Sequence, residues 1–161
     1  MIIESKENGI ENIENKYEYK PGLWEPKKEV RSSISFTKGI YFFVIRVVIF
    51  GCYEYLAIVD DDEPPQGIGL YFPNYNGSFI GFSNMESLKL KFNESKDIAV
   101  LINMDKKKCK FYDYEKRKNM REGIIKSDSV KLIGWIKSGN GKKGMTILNK
   151  GCIPVPDWIK L

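Results

Sequence analysis

Residues 97–112 have the sequence DIAVLINMDKKKCKFY, and this stretch decides the fold. The residues from Ile98 to Asn103 are apolar, and those from Asp105 to Lys108 are charged. The apolar pattern then resumes at Phe111. Two short apolar segments joined by a charged connection predict a β-hairpin.

Strand-like segments continue on both sides of this hairpin. Residues 41–50 are apolar apart from Arg46, which predicts a strand buried on both faces. Residues 88–92 alternate apolar side chains with lysine, as a half-exposed strand does. Such segments recur about every 8–12 residues between turns, which predicts an all-β fold, a two-sheet antiparallel β-sandwich. The other predicted strands cover residues 34–36, 53–59, 68–72, 79–82, 131–137 and 145–148.

The first 20 residues differ in character from the rest. They are polar and have no apolar core of a signal peptide, so we expect a polar N-terminal arm and a cytoplasmic protein. Ile10, Ile13 and Tyr17 would share one face if the arm were helical. Pro21-Gly22 marks a turn, after which a single domain is predicted over residues 21–161.

The composition argues against catalysis. Histidine is absent, which excludes Ser-His-Asp triads and Cys-His pairs. The three cysteines, Cys52, Cys109 and Cys152, are far apart with no CxxC pair, so we expect buried free thiols rather than a metal site. No apolar run reaches the ~18 residues of a membrane span. The sequence therefore predicts no enzyme activity, cofactor, metal, small-molecule substrate or membrane partner.

Basic residues are concentrated in the second part of the chain. Residues 1–65 hold 8 Lys/Arg and 12 Asp/Glu, whereas residues 66–161 hold 18 and 9. Lysines can neutralise phosphates, and exposed tyrosines can stack on bases. The alternative is a solvated hairpin whose lysines discourage edge pairing. The candidate RNA-binding residues are Lys106, Lys107, Lys108, Lys110, Tyr112, Tyr114, Lys116, Arg117, Lys118 and Arg121.

Two loops hold further candidates, and one tail residue, Trp158, is expected to pack on the domain rather than to bind a partner. Lys142 and Lys143 lie in a glycine-rich loop that lacks the Walker order, but whose backbone can contact phosphate. An aromatic loop with Tyr71, Phe72 and Tyr75 either binds a protein or folds onto the sandwich. Trp158 follows Pro154-Val155-Pro156, an extended tail expected to fold back onto the domain.

Three stretches resemble the SPRY domain over about residues 30–160. KGIYFFVI at residues 38–45 is similar to the family's G-x-Y-Y-F-E-V strand. Residues 97–105, followed by Phe111, resemble its D-x-I-G-V-x-x-D strand and return strand. LIGWI at residues 132–136, with residues 145–148, resembles its closing strands. The resemblance implies a concanavalin-like jelly roll that recognises partners without catalysis.

In its length and basic charge the chain also resembles stand-alone SPRY proteins, a small class that includes a dormancy factor of microsporidian ribosomes. That resemblance implies a monomeric factor that docks on ribosomal RNA and ribosomal proteins and keeps the ribosome inactive. A second hypothesis is a SPRY-type adaptor that recognises a short peptide. An enzyme or lectin of related architecture is disfavoured, since no convincing pair of carboxylates is present.

Overall fold

The computed structural model describes residues 2–4, 11–13, 29–31, 35–48, 54–60, 67–72, 84–87, 94–135, 145–147 and 155–161. Every regular element in these ranges is a β-strand. None of the described residues belongs to a helix long and apolar enough to cross a membrane. The strands are β1 (Ile2–Glu4), β2 (Glu11–Ile13), β3 (Glu29–Arg31), β4 (Ile40–Val48), β5 (Glu54–Asp60), β6 (Gly67–Phe72), β7 (Asn84–Ser87), β8 (Ser95–Asn103), β9 (Lys108–Asp113), β10 (Lys118–Ile124), β11 (Val130–Trp135) and β12 (Met145–Ile147).

Two five-stranded sheets form the fold, as predicted. The first sheet has the order β10-β9-β8-β4-β12, and the second has the order β3-β11-β5-β6-β7. Neighbouring strands are antiparallel, as predicted, except at one edge, where β6 and β7 are parallel. β1 pairs with β2, so residues 11–13 of the N-terminal arm are a strand and not part of a helix.

The sheets pack face to face around one apolar core. From the first sheet, Phe43, Ile45 and Phe111 contribute fully buried side chains. Leu56 and Leu132 contribute from the second sheet. Burial of these alternate residues is the main stabilising contribution of the sandwich.

The outer face of the first sheet is covered by residues 155–161, which we call the tail segment. Ile159 is only 5% exposed and packs in a cluster with Phe42, Val44 and Leu101. Trp158 packs against the same cluster. This packing confirms that β4 is buried on both faces and that the tail folds back onto the domain.

The sequence pattern missed β10, and some predicted strands cannot be compared with the structure. Residues 118–124 have the sequence KNMREGI, which shows no apolar alternation because β10 is an edge strand. Its pairing with β9 shifts register between Asn119 and Arg121, a bulge that blunts an edge against further pairing. The predicted strands at 79–82 and 88–92 lie outside the described residues, as do Cys52 and Cys152. Cys109 is fully buried and free, as expected.

Candidate nucleic-acid interface

Two turns in the first sheet are built in the same way. Residues 103–108, NMDKKK, join β8 to β9, and residues 113–118, DYEKRK, join β9 to β10. Asn103 Oδ1 accepts a hydrogen bond from Lys106 N at 3.0 Å. Asp113 Oδ1 accepts the equivalent bond from Lys116 N, also at 3.0 Å. These side-chain-to-backbone bonds fix the start of each turn.

Both turns place a basic residue in a left-handed backbone conformation. Lys107 and Arg117 each have φ of 53°. Non-glycine residues are uncommon in this region of backbone conformation. In each turn the left-handed residue contacts a neighbouring segment, and lysines surround it.

The two turns lie at opposite ends of β9. Each extended residue advances about 3.4 Å, so the five steps from Lys108 to Asp113 separate the turns by about 17 Å. Because β10 returns alongside β9, the predicted basic residues fall into two groups. We call them the first end (residues 104–108) and the second end (residues 114–118).

At the first end, several lysine amines hold other parts of the chain. Lys107 Nζ donates to Ser127 O at 2.8 Å and to Asp128 Oδ1 at 2.9 Å. Lys106 Nζ donates to Leu161 O at 3.3 Å. The Lys108 side chain is exposed, so it is the amine of this end that is best placed to bind a phosphate.

Lys110, in the middle of β9, is also engaged. Its Nζ donates to Lys160 O at 2.9 Å. Together with Lys106, it ties the tail segment along β9. These two predicted RNA ligands therefore also hold the segment that covers the sheet.

At the second end, the cations are more exposed. Lys116 and Lys118 have exposed side chains. Arg117 is exposed as well, and its Cζ lies 5.8 Å from the centre of the Trp158 ring, within the range of a cation–π contact. This end presents three positive charges beside an aromatic ring.

An ion pair between Lys96 and the buried Asp113 lies at the start of the second turn. Asp113 is 5% exposed, and its Oδ2 lies 2.8 Å from Lys96 Nζ. Burial by itself would raise the pKa of Asp113, but the hydrogen bonds from Lys96 and from Lys116 N outweigh it. The pKa of Asp113 is therefore lowered, and the carboxylate that shapes the turn stays ionised at neutral pH.

Tyr112 is not the exposed stacking residue that the sequence suggested. It is 6% exposed, because the tail segment covers it. Its ring meets that of Trp158 edge-on, with centroids 5.4 Å apart and planes at 90°. Tyr114 remains partly exposed, with its ring 6.1 Å from Trp158.

Arg121 is also less available than predicted. It pairs with Phe111 in the ladder between β10 and β9. Its Nε is buried and has no hydrogen-bond partner among the residues that the structure describes. Its side chain is only partly exposed, which makes it a weaker candidate for phosphate binding than Lys118 on the same strand.

The candidates in the aromatic loop and the glycine-rich loop are described only in part. Tyr71 is partly buried against Tyr55, Val59 and Ile133, as expected if this part of the aromatic loop folds onto the sandwich. The Phe72 side chain lies outside the described residues. Tyr75, Lys142 and Lys143 lie outside them as well.

Neither a cluster of metal ligands nor a reactive thiol is found among the described residues. In these ranges no three His, Cys, Asp or Glu side chains come together as metal ligands. Burial raises the pKa of the Cys109 thiol to about 12, so it is protonated and unreactive at neutral pH. What the site offers is lysine and arginine charge at two fixed positions.

Comparison with known proteins gives no family assignment. No protein-family model matches the chain, and no curated protein matches it. The resemblance to SPRY domains therefore stays a prediction.

The paired turns themselves are a feature that the sequence reasoning missed. Both follow the pattern Asn/Asp, any residue, Asp/Glu, Lys, Lys/Arg, Lys, ten residues apart. A repeat at that spacing indicates two turns separated by one strand. The pattern was therefore sufficient to predict that the basic triplets lie at opposite ends of β9.

Proposed function

We propose that this protein is a non-enzymatic cytoplasmic factor that docks on RNA through the two basic ends of β9. We further propose that the RNA is that of the ribosome, which the bound protein keeps inactive. The observation that carries RNA docking is the pair of turns with exposed Lys108, Lys116 and Lys118. The choice of the ribosome comes from the resemblance to stand-alone SPRY proteins.

Charge supports the choice of a polyanion. Residues 104–126 contain nine Lys/Arg and four Asp/Glu. One of the four, Asp113, is buried and paired with Lys96. The solvent-facing charge of this region is therefore strongly positive, which favours a phosphate backbone as the ligand.

The geometry supports a backbone contact rather than sequence reading. The two ends are about 17 Å apart along a strand, and the tail segment lies along the sheet between them. A strand of RNA that touches both ends would run along β9 over this segment. Fixed lysines at two separated points position a backbone without reading bases.

The test is the salt dependence of RNA binding. Replacing Lys108, Lys116 and Lys118 with Gln removes three possible phosphate contacts. On single-stranded RNA each contact contributes about 0.7 to the slope of log affinity against log salt, so the slope should fall by about 2. From about 50 to 200 mM salt, the unmodified chain should lose roughly 20-fold more affinity than the variant.

The matched control is a lysine on the other sheet. Lys131 lies on β11, and Lys131→Gln removes the same charge as Lys108→Gln. We expect the Lys131 variant to keep the slope of the unmodified chain. Equal slopes for the triple variant and the unmodified chain would mean that the two basic ends do not bind RNA.

A peptide-binding adaptor is the second candidate. The observation in its favour is Ile124, which is 67% exposed on the edge strand β10. Ile124 lies beyond the bulge between Asn119 and Arg121, and an extended peptide can pair with this part of the edge and cover the side chain. Apolar peptide binding would change little with salt, so the same titration distinguishes the two functions.

A further inference from the structure

Trp158, Tyr112 and Tyr114 form an aromatic cluster at the second end. Docking through lysines alone does not use it. Trp158 contacts Tyr112 edge-on and lies 6.1 Å from Tyr114. Tyr112 is buried, whereas Trp158 and Tyr114 are partly exposed. The cluster thus presents aromatic surface to solvent on a rigid support.

The support is fixed from two sides. Ile159, next to Trp158, is buried in the outer cluster with Phe42 and Leu101. Tyr114 N donates to Asp97 O at 3.0 Å, which anchors the start of the turn. Neither ring has to be ordered when a ligand arrives, which lowers the entropic cost of binding.

Positive charge is concentrated in the two segments that meet at the partly exposed Trp158 ring. Arg117 lies over Trp158, and Lys116 and Lys118 are the neighbours of Arg117 in the chain. Lys160 adds a fourth positive charge, whereas Glu115 and Asp157 are the acidic groups of these two segments. An aromatic surface with a surplus of cations fits a nucleotide, which combines a flat base with a phosphate.

We propose that Trp158 and Arg117 bind one unpaired nucleobase of the docked RNA, while Lys116 and Lys118 bind the phosphates on either side of it. This inference rests on the RNA docking proposed above and makes single-stranded RNA the preferred ligand. Bases in a duplex are stacked on each other and are not available to the ring.

Stacking of a base can displace the contact now made by Arg117. At an exposed site a cation–π contact is the weaker of the two interactions. The displaced guanidinium keeps its charge and its planar shape, so it can stack on the base or pair with a phosphate. The exchange therefore retains every charge of the second end.

The experiment compares two labelled RNA oligonucleotides of equal length, one ordinary and one abasic at its central positions. They carry the same phosphates, so lysine contacts contribute equally to both. With the full chain, we expect the ordinary oligonucleotide to bind about 5- to 150-fold more tightly, the range that one stacked base provides. Trp158→Leu should abolish this difference and leave the affinity for the abasic oligonucleotide unchanged.

Each outcome separates this inference from the function on which it rests. Equal affinity of the unmodified chain for both oligonucleotides would overturn base binding and leave RNA docking intact. Failure to bind either one would overturn RNA docking, and base binding with it. Because this comparison uses the unmodified chain, it holds even if Trp158→Leu destabilises the fold. Arg117→Asn, which suits the left-handed backbone, should weaken binding of both oligonucleotides.

Discussion

Removal of the Ile159 side chain tests whether the tail segment is part of the folded domain. Ile159 is 5% exposed and packs on Phe42, Val44 and Leu101. Truncating a buried isoleucine to alanine costs about 2–5 kcal/mol. The tail segment can detach without unfolding of the whole domain. The free energy of unfolding lost in Ile159→Ala therefore cannot exceed the free energy with which the tail segment docks. We therefore expect Ile159→Ala to destabilise the domain by about 2–3 kcal/mol.

The assay is thermal unfolding, with a control from the same segment. For a domain of this size each kcal/mol lowers Tm by about 2–4 °C, so Ile159→Ala should lower it by roughly 4–12 °C. Leu161 is 48% exposed, and Leu161→Ala should change stability by about 0.5 kcal/mol or less. Equal Tm values for the two variants would refute the docking of the tail, and with it the burial of Tyr112.

Three further predictions concern single groups. The pKa of Asp113 is lowered in the folded protein, so its carboxylate stabilises the fold above about pH 4, the usual pKa of an unfolded aspartate. This stability is lost as the pH falls through the folded pKa. Chemical denaturation at several pH values should show that Asp113→Asn removes this loss. Cys109, with a pKa near 12, should resist alkylation at pH 8 until the protein unfolds, and rapid labelling of the native protein, mapped by peptide, would contradict its burial. Lys107→Glu breaks the hydrogen bond to Ser127 O and should lower the free energy of unfolding by about 1–2 kcal/mol, whereas Lys108→Glu should lower it by about 0.5 kcal/mol or less. Equal losses of stability would mean that Lys107 is only a surface charge.

The sheets were predictable where burial dictates the residue type. The apolar run of β4 predicts a strand covered on both faces, and the pattern of β8 and β9 predicts their hairpin. β10 could not be predicted in this way, since an edge strand with a bulge needs no apolar alternation. The parallel pairing of β6 with β7 was also not predictable, because no residue pattern within a strand shows the direction in which it pairs.

The charges of the candidate site and the spacing of its two turns were predictable, but its contacts with the tail segment were not. Lys108, Lys116 and Lys118 are exposed, as a basic surface requires. The burial of Tyr112 depends on Trp158, 46 positions later in the chain, and no local pattern contains that contact. The bonds from Lys106 and Lys110 to tail carbonyls span 55 and 50 positions, so no local pattern shows that these lysines hold the tail segment.

The most direct test of ribosome docking is cosedimentation of the protein with ribosomes in sucrose gradients at low and high salt. We predict that the unmodified chain travels with ribosomes at low salt and is released at high salt, as phosphate contacts require. We also predict that a variant with Lys108, Lys116 and Lys118 changed to Glu stays at the top of the gradient at both salts, whereas Lys131→Glu behaves as the unmodified chain does. Failure of the unmodified chain to sediment with ribosomes at low salt, or full binding by the triple variant, would contradict the account.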